Sequence, residues 1–80
     1  MFYVYILKSK KDGKYYIGST NDIARRINQH NEGYVISTRN RRPLDLIYTE
    51  SFELEKEARI REHFLKTHKG YNELKKKGIK

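Results

Sequence analysis

The stretch YYIGSTNDIARRINQH, Tyr15 to His30, contains the clearest fold signal in this 80-residue sequence. Its first residues are aromatic and β-branched and end at Gly18, which is typical of a β-strand. A short polar segment follows, and then Ile23 and Ile27 lie one helical turn apart, which indicates an amphipathic helix. The stretch therefore predicts a strand, a turn and a helix that carries two arginines and a histidine.

Similar patterns divide the rest of the chain into the order β-β-α-β-α-α. Asp12-Gly13 is a typical hairpin turn, Thr20 or Asn21 can cap the first helix, and Gly33 can end it. This order predicts a single α+β domain over residues 1–80, with a small antiparallel or mixed sheet covered by helices. The expected strands are residues 2–8, 14–19 and 44–51, and the later helices are residues 54–67 and 72–77.

Composition limits the class of partner. The formal charge is +8, from 18 Lys and Arg against 10 Asp and Glu, which favours a polyanionic partner; the alternative is that the charge only serves solubility. The absence of cysteine excludes disulfides, thiol catalysis and cysteine-based zinc sites. It fits a cytoplasmic protein, and the apolar start MFYVYIL is too short to span a bilayer and is interpreted as a buried strand.

Strand alternation predicts which side chains share a face. A hairpin loop with an even number of residues places Tyr5, Tyr16 and Gly18 on the same face, whereas an odd number separates them. A four-residue loop over residues 9–12 would set Tyr5 directly opposite Tyr16. Two phenols beside a residue without a side chain would form a polar hollow. The alternative is that Gly18 merely ends the strand.

Helical geometry separates the two adjacent arginines. Arg26 and His30 lie about 60° and about 20° from Ile23 on the helix, whereas Arg25 lies about 160° away and faces solvent. Arg26 can therefore lean over the sheet, where its planar guanidinium suits a phosphate. The alternatives are an arginine at the rim of the sheet paired with a carboxylate, and a histidine at the rim or at the helix end.

The second long helix offers one carboxylate to a cleft. Its buried stripe is expected to contain Leu54, Ala58 and Leu65, with Ile60 and Phe64 widening it, and Glu62 flanks the stripe. Glu57 lies nearer the middle and is expected either to pair with Arg61 or to serve the helix N-terminus. A lone glutamate binds a metal weakly unless a substrate phosphate completes the shell. His63 and His68 lie five residues apart, which argues against a zinc site.

These motifs, taken together, resemble the GIY-YIG nuclease superfamily. The matching segments are YVY at residues 3–5, YIG at residues 16–18, Arg26, His30 and EARIRE at residues 57–62. The similarity covers nearly the whole chain and is greatest to the small stand-alone bacterial members, the YhbQ-like proteins. The resemblance implies a compact α+β fold, with a three-stranded antiparallel sheet flanked by about three helices. It also implies metal-dependent endonuclease chemistry, and the N-terminal domain of the strand-cutting excinuclease is a relative.

The resemblance assigns roles residue by residue. Tyr5 and Tyr16 would position or deprotonate the attacking water, and the resemblance does not separate them. Arg26 would stabilise charge on the scissile phosphate, and His30 occupies a position that holds histidine or tyrosine in relatives. Glu62 would bind a single Mg²⁺ or Mn²⁺ ion.

Other positions are expected to contact nucleic acid. Gly18 would leave room for the backbone, and Ser19 stands where the excinuclease has a lysine. Arg39, Arg41 and Arg42 in the basic loop are expected to contact phosphates. The late asparagine of larger relatives has no secure match, and Asn72 is the nearest candidate.

The leading hypothesis is a metal-dependent endonuclease acting on DNA, and RNA is not excluded as a substrate. Two alternatives remain open: a nucleic-acid binding module with a weak or inactive site, and an accessory protein of a repair or ribosome complex. The oligomeric state, the substrate preference and the pathway cannot be predicted from the sequence.

Overall fold

The computed structural model describes all 80 residues and confirms the order of elements. Three strands form one sheet, and three helices and a short 3₁₀ turn cover it. The fold is therefore α+β, as expected. The strands are β1 (Phe2–Ser9), β2 (Tyr15–Thr20) and β3 (Leu44–Phe52), and the helices are α1 (Ile23–Asn31), α2 (Glu55–Leu65) and α3 (His68–Lys76), with the 3₁₀ turn at Arg39–Arg41.

The sheet is antiparallel, and β1 lies in its centre, in the order β2-β1-β3. In the hairpin, Tyr5 lies opposite Gly18 and Leu7 opposite Tyr16. The last paired residues of the hairpin are Lys8 and Tyr15, and the six residues between them are an even number. The prediction that Tyr5, Tyr16 and Gly18 share a face is therefore confirmed. The direct pairing of Tyr5 with Tyr16 is wrong because the loop begins after Ser9, one residue later than expected.

The turn itself explains this shift. Gly13 has φ +70°, a left-handed conformation that glycine adopts without steric cost. The Ser9 hydroxyl accepts hydrogen bonds from the N–H groups of Lys11 and Asp12, at 3.1 and 3.2 Å. These interactions place the turn after Ser9 and extend β1 by one residue beyond the predicted end.

The two faces of the sheet carry different side chains. On one face Val4, Ile6 and Ile17 pack against Ala58, Leu65 of α2 and Leu74 of α3. The other face carries Tyr5, Leu7 and Leu44, with Ile23 and Ile27 of α1 packed against them. Of the three helices, α1 is the one that packs on the face that carries the two tyrosines, and this face holds a buried polar cluster.

The ends of α1 differ slightly from expectation. Asp22, rather than Thr20 or Asn21, is the N-cap, because its Oδ1 accepts the Arg25 N–H at 3.1 Å. The stop at Gly33 is confirmed: its φ is +87°, and its N–H donates to the His30 carbonyl at 3.2 Å. A side-chain carboxylate at the cap also complements the positive end of the helix.

Helix α2 is shorter and α3 longer than predicted. Thr67 ends the connection and caps α3 by accepting the Gly70 N–H at 3.2 Å. Gly70 resembles a helix breaker in the sequence, yet it is buried inside α3, where an added Cβ would collide with the backbone of Phe64 and Leu65. The glycine therefore permits close packing of the two helices. Because glycine has a low helix propensity, the sequence around it does not predict that α3 begins at His68.

The buried stripe of α2 is also narrower than expected. Ala58 and Leu65 are buried as predicted, but Leu54 and Ile60 are each 60% exposed. Glu57 serves the helix N-terminus, since its Oε1 accepts the Leu54 N–H at 3.3 Å. None of the helices is long and apolar enough to cross a membrane.

Candidate functional site

A buried polar cluster lies between the sheet and α1. The Tyr5 hydroxyl is 2.9 Å from His30 Nε2, and Arg26 Nε donates to the same hydroxyl at 3.4 Å. On the far side of the imidazole, Nδ1 is 2.7 Å from the Thr38 hydroxyl. Tyr5, His30 and Thr38 are all fully buried, so the alternative of a histidine at the rim of the sheet is wrong, whereas its position in the last turn of α1 is as that alternative had it. The cluster joins β1, α1 and the loop that follows α1.

Gly18 makes the space for this cluster. A Cβ at Gly18 would lie 2.5 Å from the Tyr5 hydroxyl oxygen and 2.7 Å from Cζ of the same ring. The strand continues to Thr20, so the glycine does not end it. The hypothesis of a polar hollow beside the two phenols is therefore the correct one, although a phenol rather than a backbone fills the space.

Burial sets the protonation of the cluster. Desolvation raises the pKa of Tyr5 to about 12, against the opposing effect of the Arg26 hydrogen bond. Desolvation, helped by the charge of Arg26, lowers the pKa of His30 to about 4. At neutral pH the phenol is protonated and the imidazole is neutral. Arg26 can only donate, so the acceptor within reach of the Tyr5 proton is Nε2 of the neutral His30, and Nδ1–H is then left to donate to Thr38.

Tyr16 differs from Tyr5 in that its hydroxyl has only a weak interaction with Arg26 and no other partner in the protein. Its ring packs edge-on against His30, with centroids 4.9 Å apart, and lies 6.3 Å from the Tyr5 ring. The residue is half-buried, and its hydroxyl makes no hydrogen bond of ordinary geometry within the protein. The hydroxyls of Tyr5 and Tyr16 both help to raise the pKa of Arg26, with Tyr5 the larger contributor. The Tyr16 phenol is therefore the one free to bind water or substrate.

Glu62 lies on the other side of the edge strand β2. The Ser19 side chain points away from the Gly18 face, and its hydroxyl donates to Glu62 Oε1 at 2.6 Å. Lys66 Nζ donates to Oε2 at 2.8 Å. Burial works to raise the pKa of Glu62, but the hydrogen bonds from Lys66 and Ser19 outweigh it and hold the pKa below its ordinary value. Glu62 is therefore an ionised carboxylate that does not touch the Tyr5 cluster. The Ser19 hydroxyl binds Glu62 in this structure, and a contact of Ser19 with phosphate stays a prediction.

An open cleft of about 270 Å³ connects the first turn of α1 with the start of α2. Arg26 belongs both to this cleft and to the Tyr5 cluster, so the two are continuous. Arg25 is exposed, as predicted, but it also borders the cleft and donates to Asn21 Oδ1 at 3.0 Å. The cleft is lined by Phe2, Ser19, Thr20, Asn21, Arg25, Arg26, Glu55, Ala58 and Arg59.

The three loop arginines are not equivalent. Arg41 is half-buried: its Nε binds Asp12 Oδ2 at 3.1 Å, and its Nη2 donates to the Tyr15 carbonyl at 3.2 Å. It ties the loop to the hairpin, and its expected role as a phosphate contact stays a prediction. Arg39 and Arg42 are exposed and form no ion pair. Asn72 is exposed on α3 and makes no side-chain hydrogen bond.

Thr38, Gln29 and Arg59 are site residues that the sequence did not reveal. Thr38 lies in an irregular loop, where no periodicity predicts burial, and Gln29 Oε1 accepts from Arg26 Nη1 at 3.0 Å. Arg59 reaches the cleft only because α2 packs on the far face of the sheet. No group of three or more His, Cys, Asp or Glu side chains could hold a metal. A cation at Glu62 would therefore need water and substrate oxygens for its remaining ligands.

We expect His30 to make stability depend on pH. An unfolded histidine binds a proton near about pH 6.5, whereas the pKa of folded His30 is lowered to about 4. Between these values the unfolded chain binds more protons, so the free energy of unfolding should fall by up to ~1.4 kcal/mol per pH unit on acidification. Urea unfolding between about pH 7.5 and pH 5 measures this slope.

The control compares His30→Gln with His63→Gln, since His63 lies on α2, away from the cluster. Only the first substitution should flatten the slope over this pH range. An unchanged slope in His30→Gln would show that His30 is not buried in its neutral form.

The sequence and the fold were compared with known proteins. A family model described as the GIY-YIG catalytic domain matches residues 1–77. The chain is 48% identical over 67 residues to UPF0213 protein CPE1444 of Clostridium perfringens, covering 82% of this chain and 71% of that protein. It is 43% identical over 74 residues to UPF0213 protein SSP2268 of Staphylococcus saprophyticus, covering 91% of this chain and 89% of that protein.

A solved structure agrees with these matches. The solution NMR structure of UPF0213 protein BH0048 from Bacillus halodurans has a TM-score of 0.55 and 38% sequence identity, covering 92% of this chain and 82% of that one. The family match includes every element that builds the cluster and the cleft. The fold, the tyrosine pair on one face of the hairpin and this match lead to the same conclusion: the chain belongs to the GIY-YIG domain family.

Proposed function

We propose that this protein is an endonuclease that hydrolyses DNA phosphodiester bonds with the help of a single Mg²⁺ or Mn²⁺ ion. The observation that carries the proposal is the position of Arg26, which joins a buried Tyr5–His30 pair to an open cleft. Its GIY-YIG fold is of the nuclease type. The net charge of +8 favours a polyanionic substrate.

Burying the polar cluster costs desolvation free energy, and an apolar interior would give the same fold without that cost. Tyr5, His30 and Thr38 occupy the interior between sheet and helix, where aliphatic side chains would pack without any polar groups to satisfy. Every buried polar side-chain atom in the structure is nevertheless hydrogen-bonded. A fully satisfied polar network holds its members in one geometry. Such rigidity suits a site that must position a reacting phosphate.

The two tyrosines take different roles in this proposal. The Tyr5 hydroxyl is saturated by His30 and Arg26, and its pKa is raised to about 12, so it stays protonated and positions Arg26. The Tyr16 hydroxyl is free and half-exposed beside the same arginine. We assign to Tyr16 the contact with the attacking water. Arg26, always charged, stabilises the negative charge that develops on the phosphate oxygens.

Glu62 is the residue that would hold the cation. It is half-buried and ionised, and Ser19 and Lys66 fix both of its oxygens. Hard divalent cations prefer carboxylate oxygen and often take their other ligands from substrate phosphate and water. When bound, such an ion would supply Lewis-acid stabilisation of phosphate charge. The Lys66 ammonium neutralises the carboxylate in the meantime, so cation binding requires Lys66 to move aside.

Cleavage of labelled DNA with and without divalent metal tests the proposed function directly. We expect Mg²⁺ or Mn²⁺ to support cleavage and chelator to abolish it, because Arg26 alone cannot balance the negative charge of the phosphate beside the ionised Glu62 carboxylate. Glu62→Gln should abolish cleavage while keeping the fold, since glutamine can still accept from Ser19. The matched control is Glu53→Gln, which removes an exposed carboxylate next to α2. Absence of cleavage by the wild type with any divalent metal would overturn the endonuclease proposal.

Substitution of each tyrosine by phenylalanine should separate their roles. Tyr16→Phe should slow single-turnover cleavage by roughly 10²- to 10⁴-fold, the range for a group that handles the proton of the nucleophile. It should change stability little, because the only group that the hydroxyl approaches in the protein is the Arg26 guanidinium, which keeps its contacts with Tyr5 and Gln29. Tyr5→Phe, in contrast, should lower the free energy of unfolding by about 1–3 kcal/mol, because His30 loses a buried hydrogen-bond partner. Wild-type cleavage by Tyr16→Phe would contradict the assignment.

The adjacent arginines provide a comparison at equal formal charge. Arg26→Ala should slow cleavage at saturating protein by roughly 10²-fold or more, the scale for losing one transition-state donor. Arg25→Ala should weaken binding and change its salt dependence, because Arg25 also borders the cleft, but should leave the saturated rate nearly unchanged. Circular dichroism first establishes that both variants fold. Equal losses of the saturated rate would show that only net charge matters.

A further inference from the structure

The loop between α1 and β3 exposes two large apolar side chains that the cleft does not use. Tyr34 is 72% exposed and Ile36 is 83% exposed, whereas Val35 between them is buried. Isolated apolar residues on a surface are common, but an exposed tyrosine within a basic loop is a frequent feature of surfaces that bind nucleic acid. The position of Tyr34 relative to the neighbouring arginines is therefore informative.

The loop holds Tyr34 in a fixed place. The Tyr34 N–H donates to the Gln29 carbonyl at 3.0 Å, which ties it to the last turn of α1. Val35 is buried, and Thr38 is anchored both by the Val35 carbonyl, at 3.1 Å, and by His30. A tyrosine has only two side-chain torsions, so little conformational entropy is lost when such a residue binds a partner.

Two guanidinium groups without a carboxylate partner lie against Gly33, the residue before Tyr34. Arg39 Nε donates to the carbonyl of the preceding residue, Gly33, at 3.0 Å, and the Arg42 guanidinium packs against the same glycine. Neither arginine forms a salt bridge, in contrast to Arg41. The surface thus combines an aromatic face with two free positive charges. A shallow depression lined by Lys11, Asn31, Arg39, Asn40, Arg42 and Pro43 continues it.

We propose that Tyr34 is a stacking platform for an unpaired nucleobase, and that Arg39 and Arg42 bind the phosphates of the same strand. A base within a continuous duplex has both faces stacked on its neighbours, so only a single-stranded or locally unpaired segment can offer a free face to Tyr34. The protein therefore binds unpaired DNA in preference to continuous duplex. This inference rests on the proposed function, because the same strand passes from the loop to the cleft.

One DNA strand is long enough to reach from the cleft to the depression beside the loop. Arg26 of α1 lines the cleft, and Asn31 of the same helix lines the depression. Arg26 and Asn31 are separated by about 7.5 Å along the helix axis. That separation corresponds to about two nucleotides of a stacked strand. The stacked base would lie a few nucleotides from the phosphate at Arg26.

Fluorescence anisotropy in the presence of chelator tests the inference without cleavage. The probes are a labelled single-stranded oligonucleotide, the same sequence as a blunt duplex, and the duplex with an internal unpaired segment. Tyr34→Ala should weaken binding to the two probes with unpaired bases roughly 5- to 100-fold and leave duplex binding within about twofold. Tyr34→Phe should bind like the wild type, because it retains the ring.

Ile60→Ala serves as the control, since it removes an exposed apolar side chain from α2 on the opposite face of the sheet. It should bind all three probes like the wild type. If Tyr34→Ala loses equal affinity for the single-stranded and the duplex probes, or loses none, the stacking role of Tyr34 is overturned and the proposed function is not affected. Failure of the wild type to bind any probe would overturn both this inference and the proposed function. If size-exclusion chromatography shows that Tyr34→Ala dissociates an oligomer, the surface belongs to a second copy of the chain and the inference falls.

Discussion

The hydroxyl of Tyr5 is the atom on which the candidate site depends. It accepts from Arg26 and donates to His30, and the ring occupies the space that the missing side chain of Gly18 leaves free. Through His30 the same network reaches Thr38, so one phenol connects the central strand, the edge strand, α1 and the following loop. A glycine on one strand and a tyrosine on its partner thus set the position of α1 over the sheet. Tyr5 therefore belongs both to the candidate site and to the packed interior of this face of the sheet.

The two faces of the sheet divide stability and chemistry between them. The face under α2 and α3 is aliphatic and contributes most of the buried apolar surface. Arg61 reinforces it by bridging Glu50 of β3 and Glu73 of α3, which ties both elements to α2. The face under α1 instead buries hydroxyl and imidazole groups, whose desolvation opposes folding. A chain of 80 residues can support such a face because the opposite face is closely packed, as Gly70 between α2 and α3 illustrates.

Much of this architecture could be predicted from the sequence. Strand alternation and an even hairpin loop placed Tyr5, Tyr16 and Gly18 together, and helical geometry separated Arg26 from Arg25. These predictions succeeded because they depend only on the local period of strand and helix. The roles of these residues in cleavage stay predictions, as does cation binding by Glu62. Burial of Leu54 and Ile60 was wrong because burial depends on what packs nearby, and a phosphate contact by Arg41 stays a prediction.

The sequence by itself determined the element types, the composition of each face and the basic character of the chain. Only the tertiary structure decided the hairpin register, the start of α3 at His68, the burial of Thr38 and the pairing of Ser19 with Glu62. The physical reason is the range of the interactions. Periodicity and capping act within a few residues, so they can be read locally. The Ser19–Glu62 hydrogen bond joins residues 43 positions apart, and it forms only once β2 and α2 have packed together.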